Sequence, residues 1–257
     1  MANPKFYFQD LTDVVFTSSV GDDASYPATN LNDYLTAPYW KSANNNASQY
    51  LSIDFGATGS GRKSICLSNH NLNGIMSSGT IKLQASSSSD FTTGVDDVDA
   101  DLVVNSDPFI QEFTENTKRY WRILFNGNLS AIPYIGNLFI GNILDFGYGY
   151  EFPYRAADKA YETTERTSLD GTLRATQPYA GRIEFELNWK LLNDTFKTNW
   201  QAFHAVVRGR LRPFYFVDVD GTSIYYVKLS DDRNPLDTIA YQLNNTAKIK
   251  LKTLGVS

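Results

Sequence analysis

Cysteine is all but missing from the 257-residue chain. Cys66 stands alone, so no disulfide can close within it, and its setting between Ile65 and Leu67 reads as a buried, inert thiol. Histidine is nearly as scarce: His70 and His204 are the two, far apart in sequence, and they leave no Ser-His-Asp or Cys-His arrangement of nucleophile and base. A metal at His70 would lack a partner histidine, and a residue satisfying its own turn is the simpler reading. No apolar run approaches the roughly 20 residues of a membrane helix, and residues 1–6 carry neither the basic segment nor the long apolar run of a signal peptide. Basic residues are in deficit, 23 against 28 acidic ones, for a net charge of −5 and a pI near 5.1. Nothing in that field draws the chain onto DNA, RNA or an anionic membrane. The glycine-rich stretch 56–61 does not match a phosphate loop and no helix pattern follows it. Carboxylate pairs are unavoidable among 28 acidic residues and give a glycosidase no specific support. The expectation is a protein with no catalytic residues, no cofactor and no resident metal, made or assembled in a cytoplasm. One acidic cluster, Asp96 to Asp101, lacks the glycine and terminal glutamate of the helix-loop-helix calcium site. It reads as a solvated loop, with Ca²⁺ left open.

What the chain does have is aromatic residues, 16 Tyr and 16 Phe, a composition that leans toward strands. The clearest stretch runs from Gly181 to Leu229. Ile183, Phe185, Leu187 and Trp189 alternate with polar residues, the period of a strand with one buried face. Leu192, Phe196, Trp200, Phe203 and Val207 then recur at helical steps, which predicts an amphipathic helix over about 193–208. Asn193 or Asp194 can cap its start and Gly209 its end. Beyond it, Pro213–Val219 and Ser223–Leu229 flank Asp220-Gly221, which predicts a hairpin with a two-residue turn. Thr238–Leu243 and Ala247–Leu254 supply the closing strand, and Lys248, Lys250 and Lys252 mark an outer face that is wet or that meets acidic groups on a neighbour.

The N-terminal half reads as short strands between turn-rich segments. Tyr26–Leu31, Trp40–Ser42 and Tyr50–Gly56 follow one another in an order and spacing that resemble the opening of a discoidin, or galactose-binding-like, jelly roll. In that family the tryptophan plugs the core and the third piece is a central strand. Ser64–Leu72, Thr80–Ser86, Arg119–Phe125 and Tyr134–Gly141 are similar to strands of jelly-roll domains in phage tail proteins. Leu144–Pro153, with two glycines and a proline, reads as the domain boundary.

After the boundary, residues 162–177 predict a polar hairpin around Asp170-Gly171. Neither arm has an apolar face, so it is either a mobile loop or an arm ordered by another subunit. This hairpin, the strand, the helix and the second hairpin resemble the tube-like β-barrel shared by tail tube and distal tail proteins of long-tailed phages. Distal tail proteins commonly place that barrel first, whereas here the jelly roll precedes it, which leaves the station in the tail open.

The expected fold class is therefore mainly β: an N-terminal β-sandwich jelly roll over residues 1–145, then a tail-tube-like β-barrel with one packed α-helix over 146–257. The resemblance implies a structural component of a phage tail tip, in the virion. It would form a homo-oligomeric ring, six copies in that family, between the tail tube protein above and hub or baseplate proteins below. DNA would pass through the lumen without specific binding. Thr163, Thr164, Thr167, Leu169, Thr172, Leu173 and Thr176 are the interface candidates, because a β-prone arm that cannot bury itself adds to a neighbour's sheet. The alternative is a carbohydrate-binding module or adhesin acting through the jelly roll, with a host glycan as partner and Tyr39, Asn44 and Asn45 as contact candidates. On that alternative an exposed aromatic such as Tyr39 or Trp40 would stack on the sugar, whereas the Trp40-Lys41-Ser42 setting in the resembling family implies a core position for Trp40.

Overall fold

The computed structural model describes residues 2–56, 61–151, 155–159, 164–168, 172–176, 182–231, 236–238 and 245–254. The chain is mainly β, with antiparallel strands and, among the described residues, one α-helix. It divides into two compact units, Gln9–Ile143 and a second made of Met1–Phe8 with Leu144–Ser257. The opening strand β1 (Lys5–Phe8) therefore counts with the second unit.

The Gln9–Ile143 unit is a jelly-roll-like β-sandwich. Its strands are β2 (Val15–Ser18), β3 (Trp40–Lys41), β4 (Tyr50–Asp54), β5 (Arg62–His70), β6 (Met76–Ser86), β7 (Val95–Asp99), β8 (Phe109–Asn116), β9 (Tyr120–Leu129) and β10 (Tyr134–Asp145). The five-stranded sheet has the order β2-β4-β9-β6-β7. Its strands obey the period of two: Leu51, Ile53, Trp121, Ile123, Phe125, Ile81 and Leu83 are buried, while Tyr50, Ser52, Tyr120, Arg122 and Leu124 are half-exposed on the other face.

The opposing sheet is built by β3, β10, β5 and β8 and is covered on both sides. Ser64 to Leu67 and Ile135 to Gly141 are buried without alternation, which is why Ile65-Cys66-Leu67 reads as an unbroken apolar run. The chain before β4 provides the second cover. Tyr34 meets the Phe139 ring edge-on at 5.9 Å, and the Gln9 side chain accepts from the Ile140 N–H. Cys66 is fully buried, and burial pushes its thiol well above the ordinary value. His70 closes its own turn, its Nδ1 accepting from the Leu72 N–H at 3.2 Å.

Residues 96–101 correct the expectation of a solvated loop, because Asp96, Asp97 and Asp99 lie on strand β7. Their carboxylates are taken by neighbours: Asp96 by Lys118 and Asn116, Asp97 by Lys82 and Gln84, Asp99 by Gln111. No group of three or more metal-ligating side chains occurs among the described residues.

In the second unit the elements are β11 (Arg155–Lys159), β12 (Thr164–Thr167), β13 (Leu173–Thr176), β14 (Arg182–Leu192), α1 (Asp194–Val207), β15 (Phe214–Val217), β16 (Ile224–Leu229), β17 (Leu236–Thr238) and β18 (Asn245–Thr253). Its sheet has the order β11-β14-β18-β16-β15-β1, with β17 paired to β18. This corrects the expected β-barrel. The sheet is open, and among the described residues no pairing joins β11 to β1. One face of the sheet is closed by the helix instead. Phe196, Trp200, Phe203 and Val207 of α1 share a core with Phe6, Phe146, Phe185, Leu187, Trp189, Phe214 and Phe216, so the apolar face is buried without the sheet curling on itself.

The helix caps follow local chemistry. Asn193 Oδ1 accepts from the Phe196 N–H at 2.7 Å. At the other end Arg208, not Gly209, is the first left-handed residue (φ 52°), and Gly209 follows at φ 63°. The hairpin also differs from its expected form. The Asp218 N–H donates to the Ser223 carbonyl and the Gly221 N–H to the Asp218 carbonyl, so the connection is longer than two residues and Gly221 alone takes positive φ, at 72°. Asp220 holds this loop by accepting from Ser223 Oγ and from the Thr222 and Ser223 N–H groups, which bring its carboxyl down to about 2.

Candidate functional site

Around β3 the first unit gathers three tyrosines from distant parts of the chain. Asp22 fixes the framework: its carboxylate accepts from Trp40 Nε1 at 2.8 Å and from the Ala28 N–H at 2.9 Å. Segment 22–28 is thereby pinned beside the buried Trp40. The Lys41 N–H donates to the Tyr26 carbonyl at 3.0 Å, and the Asp23 N–H to the Lys41 carbonyl at 2.9 Å. On the other side of β3, Lys41 pairs in register with Tyr134 of β10. Asn71 sets Tyr134 by accepting from its N–H at 2.9 Å, and Asn30 Nδ2 donates to the Tyr39 carbonyl at 2.9 Å.

The result is an aromatic ladder. The Tyr26 and Tyr39 rings stack with centroids 4.2 Å apart and planes 12° from parallel. The Tyr134 ring follows at 5.3 Å from Tyr39, tilted by 53°. All three are half-buried. Lys41 Nζ sits 5.7 Å from the centre of the Tyr26 ring and 3.2 Å from Asp23 Oδ2. A hydrogen bond to Tyr26, then burial, push the Tyr39 hydroxyl up to about 12. The Ser25 N–H, then Lys41, hold the Asp23 carboxyl below its ordinary value. The site thus offers phenol hydroxyls, partly open ring faces and the Asp23–Lys41 ion pair. Such a set suits a ligand with apolar C–H faces and many hydroxyls.

Tyr39, expected from the sequence as a glycan contact, lies at the centre of this ladder. Asn44 and Asn45 lie on the loop after β3. The Asn44 side chain accepts from the Asn46 N–H at 3.0 Å and so caps its own turn, while Asn45 is exposed. Tyr26, Tyr134, Lys41 and Asp23 escaped the sequence reading, since no local pattern brings residues so far apart to one strand edge. The interface candidates fall elsewhere. Thr163 and Leu169 lie outside the described residues. Thr164 and Thr167 are on β12, and Leu173 and Thr176 on β13, which pair as an antiparallel ribbon with Thr167 opposite Leu173. Thr167 and Thr172 are exposed.

The fold and this site define a mainly β protein with a jelly-roll-like unit that carries an aromatic surface. No protein-family model matches the chain, and no curated protein matches it by sequence. Among solved structures it is similar to chitosan-binding module 1 of a chitosanase/glucanase from Paenibacillus sp. IK-5, at 17% identity over 51% of this chain and 97% of that one, with a TM-score of 0.42. It is also similar to CBM32-1 from a family 31 glycoside hydrolase of Clostridium perfringens, at 15% identity over 53% and 99%, TM-score 0.40. A third is the family 32 module of C. perfringens NanJ, solved with galactose, at 14% identity over 52% and 96%, TM-score 0.38. These similarities give the tail-tip identity no support. At such identities and scores they do not carry a function across either.

Proposed function

We propose that the protein binds glycans, and that the Gln9–Ile143 unit receives a sugar against Tyr26, Tyr39 and Tyr134. The supporting observation is the ladder itself: three half-open phenol rings meet at one strand edge beside the Asp23–Lys41 pair. A sugar ring laid on such a surface gains from its C–H face, and its hydroxyls find donors and acceptors at the rim. The test is a screen of the whole chain on an array of neutral oligosaccharides that includes chitotriose and galactosides, followed by titration of any glycan retained. Tyr39→Ala should weaken binding by roughly tenfold, equivalent to about 1.4 kcal/mol, with the melting temperature held close to the parent's. If no glycan is retained, or if Tyr39→Ala and Tyr26→Ala bind as the parent does, the reading is wrong.

A second reading, the ring-forming tail-tip component found in a virion, draws on the β12–β13 ribbon. The ribbon pairs with no other strand among the described residues, and two strands alone are marginal in water, so a neighbouring copy would give it a sheet to join. Tail tube and hub proteins are the partners this reading carries. Sedimentation of the parent and of a chain lacking residues 162–177 separates the outcomes. The parent should assemble and the deletion should stay monomeric. A parent monomeric at high concentration, or a deletion that still assembles, rejects the ring.

A further inference from the structure

The outer face of the five-stranded sheet holds an arginine arranged unlike its neighbours. Ser52, Arg122, Gln84 and Asp97 stand opposite one another across β4, β9, β6 and β7. Arg122 Nε donates to Gln84 Oε1 at 2.6 Å, Gln84 Nε2 donates to Asp97, and Asp97 pairs with Lys82 at 3.5 Å. The guanidinium carbon lies 5.1 Å from the centre of the Tyr50 ring and 4.3 Å from that of Phe91. Two aromatic rings and one hydrogen bond thus fix the plane of the group. Burial pulls its pKa below the ordinary value, yet an arginine keeps its charge under all ordinary conditions.

Two observations point outward from this arrangement. First, with Nε committed to Gln84, neither Nη atom has a hydrogen-bond or ion-pair partner among the described residues, although the side chain is half-buried. An oriented, partly desolvated fork without an acceptor matches a planar carboxylate. Second, Phe91 reaches Arg122 from a left-handed backbone, φ 55°, which is costly for a bulky residue and persists only where the surroundings enforce it. Asp90 does so by accepting from Ser88 Oγ, Thr92 Oγ1 and the Thr92 N–H. Loop 88–92 thus accepts strain to place a ring over an arginine whose outer edge is free.

We infer that this face carries a second binding site, in which the Nη atoms of Arg122 hold the carboxylate of an acidic sugar. Tyr50 and Phe91 fix the guanidinium, and the half-exposed Tyr120 and Leu124 on the same strand face offer the rest of the sugar an apolar floor. The choice of a sugar acid over other carboxylates rests on the glycan-binding reading, whereas the carboxylate itself rests on Arg122. The site shares no residue with the tyrosine ladder.

The experiment titrates the whole chain with trigalacturonic acid, with its fully methyl-esterified form and with glutarate, following the Arg122 Nε–H resonance. The acid should perturb that resonance and bind at least roughly tenfold better than the ester, in keeping with a charge-assisted, two-pronged contact. Arg122→Lys keeps the charge but loses the fork and should weaken the acid by a similar factor. Phe91→Ala, which leaves Arg122 in place but unclamped, should weaken it less. Tyr39→Ala should leave acid binding unchanged, so failure of the ladder and failure of this site give different results. Glutarate binding equal to that of the sugar acid would overturn the sugar assignment. Equal binding of acid and ester, equal binding by parent and Arg122→Lys, or no response of the Nε–H to the acid would overturn the site.

Discussion

Trp200→Ala should destabilise the second unit by on the order of 3–5 kcal/mol, the usual cost of emptying a buried aromatic site. Trp200 is fully buried, and its ring contacts Phe203 at 5.1 Å, Phe196 at 6.2 Å, Phe6 at 6.4 Å and Phe146 at 6.5 Å. It therefore joins the helix to the strand at the start of the chain and to the segment that follows β10. Removing it leaves a void bordered by rings that are themselves wedged: Phe146 stacks on Trp189 at 4.1 Å, and Phe6 packs against Phe214 at 4.8 Å. Rigid groups held on several sides collapse poorly into a cavity, which puts the cost toward the upper end of the range. Urea denaturation measures the loss, and hydrogen exchange locates it. Amides of α1 and β14 should exchange faster in the variant, and Trp200→Phe should recover part of the midpoint. A variant with the parent's midpoint and exchange would mean that α1 does not pack through this ring.

That core is legible in the sequence, because the period changes from two to three-and-four between Trp189 and Phe196 and the buried residues fall on both periods. Trp40 in the core is legible too, as is a His70 that satisfies its own turn. Other features were hidden for physical reasons. A strand with charges at Asp96, Asp97 and Asp99 looks like a loop until Lys118 and Lys82 are seen to pair with the first two and Gln111 to donate to the third from neighbouring elements. Sheet closure is likewise a property of pairing: β11 shows nothing in its own residues to say whether it meets β1. The tyrosine ladder is the extreme case, since each ring comes from a different segment and the pairing of β3 with β10 alone brings Tyr39 to Tyr134.

Gly127→Ala should be among the most damaging single-methyl changes in the first unit, for a reason that is equally non-local. Gly79 and Gly127 stand directly opposite one another in the β6–β9 pair, both at positive φ, 88° and 142°. A Cβ on Gly127 would lie 2.2 Å from the Ser78 carbonyl oxygen and 2.9 Å from the Gly79 Cα. One on Gly79 would lie 2.0 Å from the Asn126 carbonyl oxygen. These obstacles are backbone atoms, so no side chain can swing away, and the two strands must separate just past the register shift between Met76 and Ser78. Overpacking and backbone strain of this kind cost about 1–3 kcal/mol each. Because β9 lies between β4 and β6 in the sheet, its displacement also disturbs the Ser48 N–H bond to the Gly127 carbonyl. The more telling measurement is the double variant. Once the strands have parted for one methyl, the second enters space already opened, so Gly79→Ala with Gly127→Ala should cost clearly less than the sum of the two singles, the coupling expected of residues in contact. Additive losses in denaturation midpoints would show that the two glycines serve independent local conformations and that the close approach of their backbones is not what requires them.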